Sequence, residues 1–274
     1  MSALTLTLKK SAPRIALDLG GLLPASLKLL KPAALRRLRV PAGGSDLALG
    51  ELFDIEGEPG DTLRLLGLHG ACHRVGAGLR EGVLEVRGDV GDELGREMRG
   101  GELRVRGDAG MGVGQGMRGG FLSLSGSAGD ATGGAPAGAT RGMNGGLIVV
   151  GGNVGARCGE RMRRGFIVVL GDAGDYLGDR MLAGSIAVFG QAGAHAGLGL
   201  RRGSLFLAHA PRSESEAFRD CGPCEYGMVP LIRDYLVDFH PTAARRFGMF
   251  AQARRWCGDR NHGGKGEILV ALGD

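Results

Sequence analysis

Apolar and polar positions through the middle of the chain alternate in short bursts that return at a fixed interval. Leu84, Leu103, Leu122, Ile148, Ile167, Ile186 and Leu205 form one column, and Val86, Val105, Leu124, Val150, Val169, Val188 and Leu207 form a second, two residues later. Positions two apart share one face of a strand. The interval is 19 residues on either side of a single step of 26 between Leu122 and Ile148. Met98, Met117, Met143, Met162, Met181 and Leu200 keep the same register, which places a seven-residue insertion around Ala135 to Thr140. Nineteen residues leave no room for a crossover containing a long helix, and no 3.6-residue period accompanies the alternation. The pattern predicts an all-β fold, a parallel β-helix of about seven turns in which equivalent residues stack at about 4.8 Å and each turn continues the core of the last.

The outward positions change character along this stack. One column reads Glu85, Arg104, Ser123, then Val149, Val168, Ala187, Phe206; the next reads Arg87, Arg106, Ser125, then Gly151, Leu170, Phe189, Ala208. An apolar outer face needs cover, either from the chain's own C-terminal segment or from another subunit. Val149, Val168, Leu170, Ala187, Phe189 and Phe206 are therefore the candidate partner-contact face.

Three segments follow. Residues 1–60 hold N-terminal strands and a capping helix, expected over Ser26–Arg39, with strands near Leu47–Leu49 and Phe53–Ile55. Residues 61–208 are the glycine-rich coil. Residues 209–274 form a tail, with helices expected over Leu231–Phe239 and Thr242–Trp256 and a last strand over Glu267–Leu272.

Composition explains how such tight turns are made. Glycine supplies 54 of the 274 residues, against a usual share of about 7%. Gly82, Gly101, Gly120, Gly146, Gly165, Gly184 and Gly203 follow the repeat, and two further glycine columns run from Gly91 to Gly193 and from Gly95 to Gly197. Corners are expected there, with Asp89, Asp108, Asn153 and Asp172 tolerating left-handed backbone beside them. A hydrophobic share of 43% excludes a disordered linker, and the 19-residue period excludes collagen. The net charge of +5 comes without an evident basic tail or stripe, and aromatics are only 5%, so nucleic acid is not an expected partner. No apolar run suits a membrane span or a signal peptide, and five cysteines fit a reducing compartment; a cytoplasmic location is expected.

Candidate chemistry is sparse. Gly114, Gly116 and Gly119 satisfy the dinucleotide fingerprint, but a strand rather than a helix should follow, so the repeat accounts for them. Cys221, Gly222, Pro223 and Cys224 match the thioredoxin tetrapeptide without its strand-and-helix setting, between the polar stretch Pro211–Arg219 and the break Gly227–Pro230. These cysteines are expected to be buried and structural; the alternative is that the two thiols complete a tetrahedral zinc site with Cys257 and His262. His69, Cys72 and His73 cluster in the first, irregular turn without a visible orienting partner. No catalytic residue, bound cofactor or metal is expected on this chain.

Units such as Leu103-Arg-Val-Arg-Gly107-Asp-Ala-Gly110, the dense Gly110-Met-Gly112-Val-Gly114 and the leading Phe53-Asp-Ile-Glu-Gly57 resemble the glycine-rich right-handed β-helix domain. That domain is shared by the large subunit of glutamate synthase and by the family of the formylmethanofuran dehydrogenase C subunit, whose bacterial counterpart is the C subunit of the formyltransferase/hydrolase complex of methylotrophs. The resemblance covers about residues 45–210. It implies a right-handed coil and a non-catalytic scaffold in a hetero-oligomer whose other subunits carry a formyltransferase and a zinc amidohydrolase-like hydrolase. As the resemblance implies, those subunits pass a formyl group from tetrahydromethanopterin to a methanofuran-type carrier and release formate. The Arg-rich, Lys-poor composition favours the bacterial branch over a molybdenum or tungsten dehydrogenase. An independent β-helix acyltransferase or carbohydrate-active enzyme is the alternative of another class.

Overall fold

The repeat columns become hydrogen-bonded neighbours. The structure is a computed structural model that describes residues 3–212 and 216–273. Its N-terminal part comprises β1 (Leu4–Leu8), β2 (Leu17–Asp18), α1 (Pro24–Leu27), α2 (Pro32–Arg37), β3 (Arg39–Ala42), β4 (Ser45–Ala48), α3 (Leu49–Leu52) and β5 (Phe53–Glu56). The glycine-rich part follows with β6 (Thr62–Leu68), β7 (Cys72–His73), β8 (Val83–Gly88), β9 (Glu102–Arg106), β10 (Arg118–Leu124), β11 (Asn144–Val150), β12 (Arg164–Val169), β13 (Ser185–Val188) and β14 (Arg202–Leu207). The tail adds β15 (Arg219–Glu225), α4 (Val229–Val237), α5 (Pro241–Phe247), β16 (Gln252–Gly258) and β17 (Lys265–Ala271).

The protein is mostly β, with short helices and one large, parallel-rich sheet. Thirteen strands run in the order β15-β16-β17-β14-β13-β12-β11-β10-β9-β8-β6-β1-β5, parallel from β17 to β1 and antiparallel at both ends. Leu84 pairs with Leu103, Leu103 with Leu122, Leu122 with Ile148 across the insertion, and so on to Leu205. The flanks extend the same columns: Leu4 pairs with Leu63 and Leu63 with Leu84 at one end, and Ile268 pairs with Leu205 at the other. A second parallel stack of single bridges links Val90, Ala109, Ala128, Val154, Ala173 and Ala192. One hydrophobic cluster therefore runs from Leu4 to Val270 through all three segments.

Two physical demands account for the glycines. Gly146 has φ 90° and needs left-handed backbone. Gly174 does not, but a Cβ there would come 2.7 Å from the Ala156 amide nitrogen of the preceding turn, so the stacked chains leave no space for a side chain. The expected left-handed role of Asp89, Asp108, Asn153 and Asp172 is corrected: none is among the residues with positive φ. Their side chains instead tie turn to turn. Asp89 accepts from the Asp108 amide at 2.9 Å, Asp108 from Ser127 at 2.7 Å, Asn153 from Asp172 at 2.8 Å and Asp172 from Gln191 at 2.7 Å. Each satisfies a corner amide that the strand ladder leaves unpaired.

Two expected elements also change, and one appears that was not expected. The helix over Ser26–Arg39 splits into α1 and α2, because Pro32 starts a new helix and biases Lys31 to extended backbone at ψ 153°. The helix over Thr242–Trp256 stops at Phe247; a short 3₁₀ turn follows, and residues 252–258 become β16, paired with β17. Residues 219–225 form an outer strand that no periodicity announces. Residues 213–215, within the polar stretch Pro211–Arg219, lie outside the described residues.

The candidate partner-contact face is corrected as well. Val149, Val168, Ala187, Phe189 and Phe206 are buried and Leu170 is half-buried, packed against Val229, Leu236, Phe247 and Phe250 of the tail. Phe206 meets Phe247 at 4.9 Å and Phe250 at 5.4 Å between ring centroids, and Phe166 meets Phe247 edge-on at 5.8 Å. Arg246 clamps the cover: its guanidinium donates to the Leu170 and Phe189 carbonyls at 3.1 and 3.3 Å and lies 4.6 Å from the Phe189 ring centre. The chain's own helices bury this face because they are apolar, sequence-adjacent and tethered to the sheet by β16 and β17.

Candidate functional site: two arginine-lined grooves

The turns leading into β12 and β14 enter their strands through a buried anchor followed by two arginines. Met162 is followed by Arg163 and Arg164, and Leu200 by Arg201 and Arg202; both anchors are fully buried. The insertion contributes Thr140 and Arg141 to the same side. Arg141, Arg163, Arg164, Arg201 and Arg202, with Leu182 between them, line an open groove of about 660 Å³. A neighbouring groove of about 450 Å³ shares Arg141, Leu182 and Arg201 and adds Arg161, Arg180 and His262.

Two of these arginines occupy strained backbone. Arg161 and Arg180 have φ 53° and 51°, at a repeat position filled by Gly78, Gly116 and Gly199 in other turns. A side chain in left-handed backbone costs roughly 1–2 kcal/mol. Arg180 is steadied by Asp179, itself 4% exposed, at 2.9 Å, and that hydrogen bond pushes its pKa up. Arg161 lies 3.7 Å from Glu160 and donates to the Ala139 carbonyl at 3.2 Å, tying the insertion to the coil.

Among the described residues no carboxylate lines either groove, and Arg141, Arg163, Arg164, Arg201 and Arg202 have no ion-pair partner. Guanidinium groups gathered without counter-charge repel one another and favour an anion that spans them, by paired hydrogen bonds to carboxylate or phosphate. The larger groove can bind and orient such a group; in the smaller one Asp179 and Glu160 already lie beside Arg180 and Arg161. The expectation of no basic stripe missed this site. Its trace in the chain is a pair of Arg-Arg doublets 38 residues, two repeats, apart, which the stacking of turns makes into spatial neighbours.

The other sequence candidates resolve differently. Gly114, Gly116 and Gly119 lead into β10, not a helix. Cys72 is buried, and burial raises its thiol pKa; His69 Nδ1 accepts from the Ala71 amide at 3.3 Å and His73 Nδ1 from the Asp92 amide at 3.0 Å, so this cluster shapes its own turn. No group of His, Cys, Asp and Glu able to hold a metal occurs among the described residues; His262 sits instead beside Asp259 at 3.3 Å. No helix among the described residues is long and apolar enough to cross a membrane.

Residues 68–220 match the family described as the GXGXG motif. Over 90 residues, 33% of this chain and 34% of the other, the sequence is 37% identical to the C subunit of the formyltransferase/hydrolase complex Fhc of Methylorubrum extorquens strain AM1, so the matched stretch spans about a third of that subunit. The structure is similar to a chain in the crystal structure of the formyltransferase/hydrolase complex FhcABCD of Methylorubrum extorquens in complex with methylofuran. That likeness has a TM-score of 0.89 and 34% identity, and it covers 98% of this chain and 100% of that one.

Proposed function

The chain belongs to the GXGXG-motif family, in the branch of the C subunits of formyltransferase/hydrolase complexes, and we propose that it is a non-catalytic scaffold within such a complex. The observation that carries this reading is the likeness of nearly its whole length to one chain of a solved multi-subunit assembly. In this reading the turns form a right-handed parallel β-helix, a rigid rod over 61–208 capped by 1–60 and 209–274, because thirteen strands in one sheet resist bending. The partners are a formyltransferase subunit and a zinc amidohydrolase-like subunit. They move a formyl group from tetrahydromethanopterin to a methanofuran-type carrier and release formate in the cytoplasm.

The apolar outer face is spent on the chain's own tail, so partner contact falls to exposed surface. The larger arginine groove is the favoured part of it: the uncompensated charge of Arg141, Arg163, Arg164, Arg201 and Arg202 suits acidic side chains on a neighbouring subunit. The experiment is to tag the protein in its native host and identify what co-purifies at fixed stoichiometry. A formyltransferase and an amidohydrolase-like subunit are expected; a molybdopterin or iron–sulfur subunit would move the chain to the dehydrogenase branch, and a solitary protein active on a formyl carrier would replace the scaffold reading with an enzyme. Arg163→Glu with Arg201→Glu should release the partners while leaving the thermal midpoint of the isolated chain unchanged.

A further inference from the structure

Residues three apart in a regular strand point to opposite faces, so Cys221 and Cys224 of β15 should not share one. The pairing of β15 with β16 changes that. Arg219 lies opposite Cys257 and Asp220 opposite Trp256, whereas beyond a bulge Pro223 lies opposite Arg254 and Cys224 opposite Ala253. One extra residue shifts the alternation, and Cys221 and Cys224 both come to the face that carries Ala253, Arg255 and Cys257. Gly222, left-handed at φ 79°, makes the bulge, and its amide donates to Asp220 Oδ1 at 2.9 Å.

Three thiols thus gather on the outermost strand pair of the large sheet. The expectation of buried structural cysteines is corrected here: on this edge pair Cys221 is exposed, and Cys224 and Cys257 are half-buried. Burial and then a hydrogen bond to the Cys221 thiol push Cys257 up from its ordinary value, and the Arg255 guanidinium, 2.9 Å from Glu267, interacts with all three thiols. Cys158 is the contrast: enclosed in the coil, its thiol is pushed up to about 12. Exposure beside a guanidinium makes a thiol reactive, and full enclosure makes it inert.

We propose that Cys221 and Cys257 are an oxidisable pair that a hydroperoxide closes into a cross-strand disulfide, fastening the outermost strand β15 to β16. The Cys221 thiolate attacks the terminal O–H oxygen of the hydroperoxide and the O–O bond breaks; the sulfur keeps that OH as a sulfenic acid, while the alkoxide, or hydroxide in the case of hydrogen peroxide, leaves and takes up a proton. The Cys257 sulfur then attacks the sulfenic sulfur; the S–S bond forms, the S–O bond breaks, and water leaves with the proton from Cys257. Two thiols are oxidised to one disulfide, and one hydroperoxide is reduced. This modification site does not depend on the proposed function.

The test is peptide mapping under non-reducing conditions after the full-length chain is treated with equimolar hydrogen peroxide. A peptide pair linked through Cys221 and Cys257 is expected, reversible by a thiol reductant, abolished in Cys221→Ser and in Cys257→Ser, and undiminished in Cys224→Ser. Iodoacetamide should label Cys221 at least about tenfold faster than Cys158 in the untreated protein. Because the wild-type map decides on its own, a variant that fails to fold does not rescue the proposal. Linkage to Cys224, linkage only between chains, or oxidation to sulfinic acid without a disulfide would each overturn it.

Discussion

The outer face of the large sheet is one surface with two characters. Over β8 to β10 it carries the exposed Arg104 and the half-buried Glu85 and Ser123, polar throughout and with ion pairs such as Arg64–Glu85 at 2.8 Å. Over β11 to β14 the same column carries Val149, Val168, Ala187 and Phe206, all buried under α4, α5 and the 3₁₀ turn that follows. Backbone pairing is the same in both halves, and so is the inner core, where Leu84 and Ile186 are equally buried. The hydrogen-bonded ladder therefore sets the sheet, and the outward side chains decide independently what the sheet is joined to.

The largest break in that comparison should come from a charge in the covered half. Phe247→Asp places a carboxylate among Phe166, Phe206 and Phe250 and is expected to cost more than about 4 kcal/mol, seen in urea melts as a loss of folded protein. Ser123→Asp, the same charge in the open half, should stay within about 0.5 kcal/mol.

A second prediction uses the inner core as the reference for both halves. The Cys158 thiol stands at about 12 when folded against an ordinary value of 9.0, because burial disfavours its thiolate. Between these values the folded chain keeps a proton that the unfolded chain gives up. The thiol's contribution is thus fully present below about pH 9 and is lost as pH rises towards 12. The stability difference between wild type and Cys158→Ala, followed by chemical denaturation across that range, should shrink steadily as pH rises.

The smallest effect concerns the clamp. Arg246→Ala removes two hydrogen bonds to carbonyls and a cation–π contact, for an expected loss of about 1–2 kcal/mol. Arg64→Ala removes an exposed ion pair in the open half and should cost less than about 1 kcal/mol. Equal losses would mean that the cover adds nothing through Arg246.

The repeat was legible because it is local and multiplied: seven copies of one alternation identify strand positions, corner glycines and the insertion without three-dimensional information. The tail was legible only in part. Leu231–Phe239 and Glu267–Leu272 read close to α4 and β17, since each carries its own period, but residues 252–258 hold Ala253, Arg254 and Arg255, which suit a helix as well as a strand. Pairing with β17 settles them as β16. The arginine grooves were hidden for a related reason. Their members are scattered from Arg141 to Arg202, and a net charge of +5 averages them away.

By itself the sequence determined the 19-residue repeat of strand positions, its insertion and the presence of an apolar outer half that requires cover. These follow from side-chain alternation and steric space, which act between near neighbours or between identical repeats. Tertiary structure alone decided that the tail supplies the cover, that the Arg-Arg doublets converge on two grooves, and that a bulge turns Cys221 and Cys224 to the face of Cys257. Each depends on which distant segments meet. That choice is set by the summed burial and hydrogen bonding of the closed fold, and no local pattern encodes it.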